Sequence, residues 1–192
     1  MKQSTWLVAL AALLMFALPQ SVLAQAKPIY SYVEAGYNEV DVDKPSGILD
    51  DSSGEFAGIS FSIGKKYHGF GRYISNTIDD SDIDLKDTIV GVGWHGGLGE
   101  KADLVMEVAW IDKELGDFDE DGYFGRVGFR WRLIKLVEVG GWIRYQDVGD
   151  SEDEIYELNA MVHLWRLAIG LGLESQDEID TYNAFARFNF GG

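Results

Sequence analysis

Three groups of residues have types and spacings that could do chemistry. The run Asp117-Phe118-Asp119-Glu120-Asp121-Gly122 sets alternate carboxylates before a glycine. That is the D-x-D-x-D-G spacing with which oxygen ligands converge on calcium before a sharp turn. Asp117, Asp119 and Asp121 are therefore the candidate metal ligands, and calcium the candidate ion. The twelfth position is Gly128, not a bidentate glutamate, and no helical pattern flanks the run. A solvated acidic segment is the preferred reading, with divalent cations bridging it diffusely to anionic lipopolysaccharide. The second group is His68, His95 and His163, the only histidines, in a chain without cysteine. No His base falls among the acidic segments, so no catalytic residue is assigned and no enzyme is expected. The third group is Glu34, Asp103, Glu107, Arg126, Arg130, Glu138, Arg144, Glu157 and Arg187, charges that recur on alternate positions opposite apolar residues.

The elements that must position them read as strands. Val33, Ala35 and Tyr37 interleave with Glu34, Gly36 and Asn38, and Ala57, Ile59, Phe61 and Ile63 with small or polar residues. The same period of two runs through Val90–Trp94, Leu104–Trp110, Tyr123–Trp131, Val137–Tyr145, Tyr156–Leu164, Leu167–Leu173 and Tyr182–Phe190. The 38 positions on the apolar parity of these nine segments carry no charge, the mark of one face turned to an apolar medium. A weaker strand lies near Phe70 to Ser75. There Arg72 should face the polar side and Gly71 and Tyr73 the apolar one, although Phe70 and Ile74 then share Arg72's face.

Five acidic segments alternate with four short turns. The segments are Asp41–Glu55, Asp79–Asp87, Asp112–Asp121, Asp147–Glu154 and Glu174–Asp180, and they hold 25 of the 32 Asp and Glu. The turns fall near Lys65-Lys66, Gly96-Gly97, Leu133-Ile134 and Trp165-Arg166. This rhythm predicts an all-β, closed antiparallel transmembrane barrel of ten strands, with eight as the alternative, short periplasmic turns and longer acidic extracellular loops. With the first strand running outward, Tyr37, Trp110, Tyr123, Tyr145, Tyr156 and Tyr182 fall at the outer rim. Trp94, Trp131, Phe188 and Phe190 fall at the periplasmic rim. Amphipathic rings settle where hydrocarbon meets headgroups, so these are two interfacial girdles.

Residues 1–26 read as a signal peptide and 27–192 as the barrel. Lys2 precedes an apolar run from Trp6 to Leu18, which as a helix rises only about 20 Å against a hydrocarbon core of about 30 Å. Small residues place cleavage after Ala24 or Ala26. The net charge of −16 argues against nucleic acid as a partner. Mean hydropathy is only −0.08, as befits strands that show half their residues to lipid. The expected location is the cell outer membrane of a Gram-negative bacterium, with outer-membrane lipid as partner; the oligomeric state is left open.

Closure is obligatory in lipid, where an unpaired strand edge finds no water. The expected closing pair is Thr181–Phe190 against Tyr30–Val40. The last strand resembles the C-terminal signal read by the barrel-assembly machinery, although Gly191 and Gly192 follow the aromatic Phe190. Across the mature chain, and most sharply at Tyr30-Ser31-Tyr32-Val33-Glu34-Ala35-Gly36-Tyr37, the sequence resembles small OmpA-like and opacity-type outer-membrane barrels of proteobacteria. Most of that family has eight strands, so ten is a departure. The resemblance implies a surface protein without catalysis. The inward charges are expected to form an ion-paired plug, giving an occluded polar lumen and a structural or surface-interaction role. A narrow ion or small-solute channel is the competing reading, and a lipid- or peptide-modifying enzyme comes third.

Overall fold

The computed structural model describes residues 27–42, 51–78, 83–116, 118–149 and 151–191. The expected signal peptide and its cleavage sites, and Asp117 of the calcium spacing, lie outside the described residues. Ten strands follow one another: β1 (Ser31–Val42), β2 (Ser52–Ile63), β3 (Tyr67–Ile78), β4 (Asp84–Gly97), β5 (Ala102–Leu115), β6 (Phe118–Ile134), β7 (Val137–Val148), β8 (Ser151–Leu164), β9 (Leu167–Gln176) and β10 (Ile179–Gly191). Each pairs antiparallel with its sequence neighbours, and β10 closes on β1 with Val40 opposite Thr181 and Phe188 opposite Val33. No sheet edge is left for lipid to desolvate.

The apolar parity faces out. Val33, Ile59, Val92, Val108, Leu158 and Ile169 are all exposed, and Tyr37, Tyr123, Tyr145, Tyr156 and Tyr182 ring the outer end as exposed side chains. Trp131, Phe188 and Phe190 do the same at the other end. Val137 departs from the expectation: it is buried, beside the turn where the β6–β7 register shifts. In β3 the parity conflict resolves inward. Arg72 lies inside with its guanidinium 4.0 Å over the Phe56 ring, and Phe70 and Ile74 pack against an apolar cluster of Ile89, Ala109, Ile111, Phe124 and Val148. The upper interior is therefore aliphatic, so the lumen is only partly polar.

Large inward rings fit a narrow lumen because a neighbouring strand offers glycine opposite them. A Cβ on Gly128 would lie 2.2 Å from the Gly141 carbonyl and 2.4 Å from the Trp142 ring; one on Gly170 would lie 2.4 Å from the Phe185 ring. Glycine thus substitutes for lumen width.

The acidic segments differ from the long loops expected. Three of the five are strand extended beyond the girdle: Asp112 pairs with Asp121 and Leu115 with Phe118, Val148 pairs with Ser151, and Gln176 pairs with Ile179. The backbone prefers ladder hydrogen bonds to solvated loop once a tight turn is available. Gly116 (φ 58°) and Gly149 (φ 59°) supply the left-handed conformation at two of these turns. Two short turns sit about two residues later than expected. Gly96 and Gly97 still pair with Leu104 and Asp103 in the ladder, and Ile134 pairs with Val137.

Candidate functional site: the barrel interior

The nine charges singled out by parity all point into the barrel, and four of them, Glu107, Arg126, Glu157 and Arg144, join one chain of ion pairs. Adjacent strands β5 and β6 set Glu107 beside Arg126, which bond directly. Arg126 also reaches Glu157 of β8 (2.7 Å). Glu157 meets Arg144 (3.3 Å), and Arg144 meets Glu174 of β9 (2.8 Å). Arg72 lies 3.9 Å from the other Glu174 oxygen. On the far wall Arg187 donates to Glu34 at 2.7 and 2.9 Å. The chain of contacts runs from β3 to β9 and crosses the waist.

Below the waist the structure groups what the sequence left separate. Glu138, 1% exposed, accepts two bonds from Arg130 (2.8 and 2.5 Å) and lies 3.7 Å from Arg132 and 3.2 Å from His163. His68 shares a hydrogen bond with Glu107 (2.8 Å). His95 stacks on the Tyr30 ring with centroids 3.8 Å apart, and the Tyr30 hydroxyl donates to Asp103 (3.1 Å). All three histidines thus lie in the periplasmic half, as their positions near the short turns require.

The segment before β1 adds a stopper. Pro28 and Tyr30 are buried inside the periplasmic mouth. Arg130 donates to the Ile29 carbonyl (3.0 Å), Arg132 to that of Lys27 (3.2 Å), and the Ser60 hydroxyl to that of Tyr30 (2.8 Å). Sequence reasoning missed Arg132 and Glu174, though both share the inward parity of named residues. Tyr30 shares the inward parity of Glu34 in the strand read over Tyr30–Val40, but parity does not show that it meets Asp103 and His95.

The calcium spacing is not wrapped as a loop among the described residues. Asp119 and Asp121 sit on β6, opposite Glu114 and Asp112, and Asp121 accepts from the Trp110 indole (3.3 Å). Asp112 lies above the girdle. Its carboxyl is held above the usual range by desolvation, then by its hydrogen bond with Asp119 and the neighbouring negative charges. No group of three or more metal-ligating side chains converges among the described residues.

Two spaces stand out inside the barrel among the described residues. One of about 80 Å³ lies at the waist, bounded by Glu34, Glu107, Arg126 and Arg187. The other, about 480 Å³, opens at the outer end above Arg72 and Arg144.

No family model matches the sequence, and no curated protein does. Among solved structures the chain is similar to the KdgM porin in complex with disordered oligogalacturonate. That match has 8% identity, covers 83% of this chain and 99% of the porin, and has a TM-score of 0.51. Neisserial surface protein A aligns at 12% identity over 83% of this chain and 96% of its own, with a TM-score of 0.45. Ail, the attachment invasion locus protein of Yersinia pestis, aligns at 14% over 84% and 99%, with a TM-score of 0.39. At such identities the likeness speaks for the fold alone, and it is the porin match that carries it. An exposed apolar belt between two aromatic girdles needs a bilayer, and a closed antiparallel barrel with acidic strand ends outside is how an outer membrane is crossed. The chain is an outer-membrane β-barrel.

Proposed function

We propose that this barrel is closed to through-flow and serves as a structural or surface-interaction protein of the outer membrane. The observation that carries the reading is the ion-paired waist from Glu107 through Arg126, Glu157 and Arg144 to Glu174. Buried charges held this way resist opening, because stripping one partner leaves the other uncompensated in a low-dielectric interior. The Lys27–Tyr30 stopper adds a second closure beneath it. A barrel of ten strands is also near the width that side chains alone can fill. What the surface offers a partner is an acidic rim, which in turn favours divalent cations and, through them, lipopolysaccharide. Kinship with the small opacity-type barrels is part of this proposal and is supported by the opening strand Tyr30–Tyr37. No catalytic role is part of this proposal; His68 is bonded to Glu107 at the waist, and His95 and His163 lie nearer the periplasmic turns.

The competing reading, a narrow channel, has one observation in its favour, the polar space of about 80 Å³ at the waist. Swelling of proteoliposomes in a small sugar separates the two. The closed barrel gives no swelling beyond protein-free vesicles; rapid swelling that Tyr30→Ala accelerates would establish the channel.

A further inference from the structure

The outer cavity has the build of a ligand site. Its volume of about 480 Å³ falls within the range of about 300–1,000 Å³ typical of small-molecule pockets, which favour the mouths of β-barrels. Part of its wall is aliphatic: Ile74, Ile89, Ile111 and Ile155 line it beside polar Asn38, Asn76 and Gln146, and the last three isoleucines are at most 5% exposed. Its floor is charged, with three cations and four carboxylates among the lining side chains. Arg72, Arg144 and Lys113 face the cavity together with Asp87 and Glu174, while Glu114 and Glu120 stand toward its mouth. Arg144 is satisfied by Glu157 and Glu174. Arg72 is not. Beyond the Phe56 ring beneath its guanidinium, its ion contact is the long one of 3.9 Å to Glu174, whose other oxygen already serves Arg144, and its Nε has no hydrogen-bond partner among the described residues. Its side chain keeps 23% of its surface open.

We infer that this cup binds a small amphipathic organic acid, hydrocarbon body against the isoleucines and carboxylate on Arg72. A guanidinium presents paired donors that match a carboxylate, and a charge-assisted bond forms best where the surroundings are apolar. Isoleucines beside a guanidinium whose Nε has no hydrogen-bond partner suit a molecule that joins a hydrocarbon body to a carboxylate. Lys113, on the wall above, is set opposite Asp87 in the ladder and leaves Arg72 as the cation for the head group. The closed floor proposed above makes the cup a dead end, so the ligand is held at the cell surface instead of passing through.

The test is calorimetric titration of octanoate into the folded full-length barrel in nanodiscs, with empty nanodiscs titrated in parallel. The expected result is saturable one-site binding above the empty-disc signal. Octan-1-ol and n-octylammonium, equal in body but without a carboxylate, should bind at least about tenfold more weakly, and Arg72→Gln should weaken octanoate by a similar factor. Leu115→Trp narrows the mouth without touching an ion pair and should weaken octanoate as well; it decides the matter if Arg72→Gln fails to fold. Octanoate heats equal to those of empty discs would overturn the assignment. So would binding indifferent to both variants, or octylammonium binding as tightly as octanoate. Swelling of proteoliposomes made from the same purified protein reports the closed floor separately, so failure of one reading is distinguishable from failure of the other.

Discussion

Removing the Glu138 carboxylate should be among the most damaging single changes in the lumen. Glu138→Ala strips the counter-charge from Arg130 at 2.5 Å and from Arg132 at 3.7 Å, at a residue 1% exposed. Breaking a buried pair by deleting one partner costs about 3–5 kcal/mol, because the orphaned charge remains desolvated. That corresponds to roughly two to three and a half decades in the folding constant. The assay is urea titration of the barrel folded in lipid vesicles, followed by tryptophan fluorescence. Adding Arg130→Met should then recover part of the loss, since the orphan is removed; recovery stays incomplete because Arg130 also donates to the Ile29 carbonyl. The cycle should therefore be non-additive by more than about 0.5 kcal/mol. A loss below about 1 kcal/mol for Glu138→Ala, or simple additivity, would mean that water solvates Arg130 and that this part of the lumen is not sealed.

Other outcomes follow from the same coordinates. Val127 is exposed on the lipid face beside inward Arg126, so Val127→Arg should cost about 2–4 kcal/mol in the same titration; tolerance would put the register off by one. Gly128→Val drives a Cβ into the Gly141 carbonyl, whereas Gly125→Val meets nothing nearer than 3.9 Å. The first should destabilise by about 1–3 kcal/mol or more and the second should not. At the rim, Asp112's raised carboxyl favours protonation in the folded state. Its contribution is therefore present at low pH and lost as pH rises through its folded value. Protease resistance of the β5–β6 tip should increase on acidification, and Asp112→Asn should flatten that dependence. Calcium should protect the tip more than sodium at matched ionic strength, where screening extends only about 8 Å. Asp119→Asn with Asp121→Asn should remove part of that protection, whereas abolition would establish a defined ion site.

The fold was legible because burial on a barrel wall has a period of two, and Val127 or Leu158 cannot face lipid without sending Arg126 or Glu157 inward. Even the discordant β3 carried its answer in Arg72, whose charge outweighs Phe70 and Ile74 because rings can pack inside and a guanidinium cannot face hydrocarbon. Parity says nothing about height along the barrel. Hence Arg126 could be matched to Glu157 by strand proximity, yet the meeting of Glu138 with Arg132 and His163 depends on stagger across the sheet. The acidic stretches misled because Asp and Gly suggest loops. Asp119 and Asp121 instead ride on a ladder that Gly116 closes with a tight turn. Tyr30 has the inward parity of Glu34, yet its meeting with Asp103 and His95 depends, again, on height and stagger.

The central claim is that the ion-paired waist seals the barrel, and single-molecule conductance in planar bilayers tests it most directly. The purified barrel should give no steady current above the bare membrane. Reproducible open steps in the unmodified protein, altered in size by Arg126→Ala or Arg130→Ala, would contradict a sealed lumen.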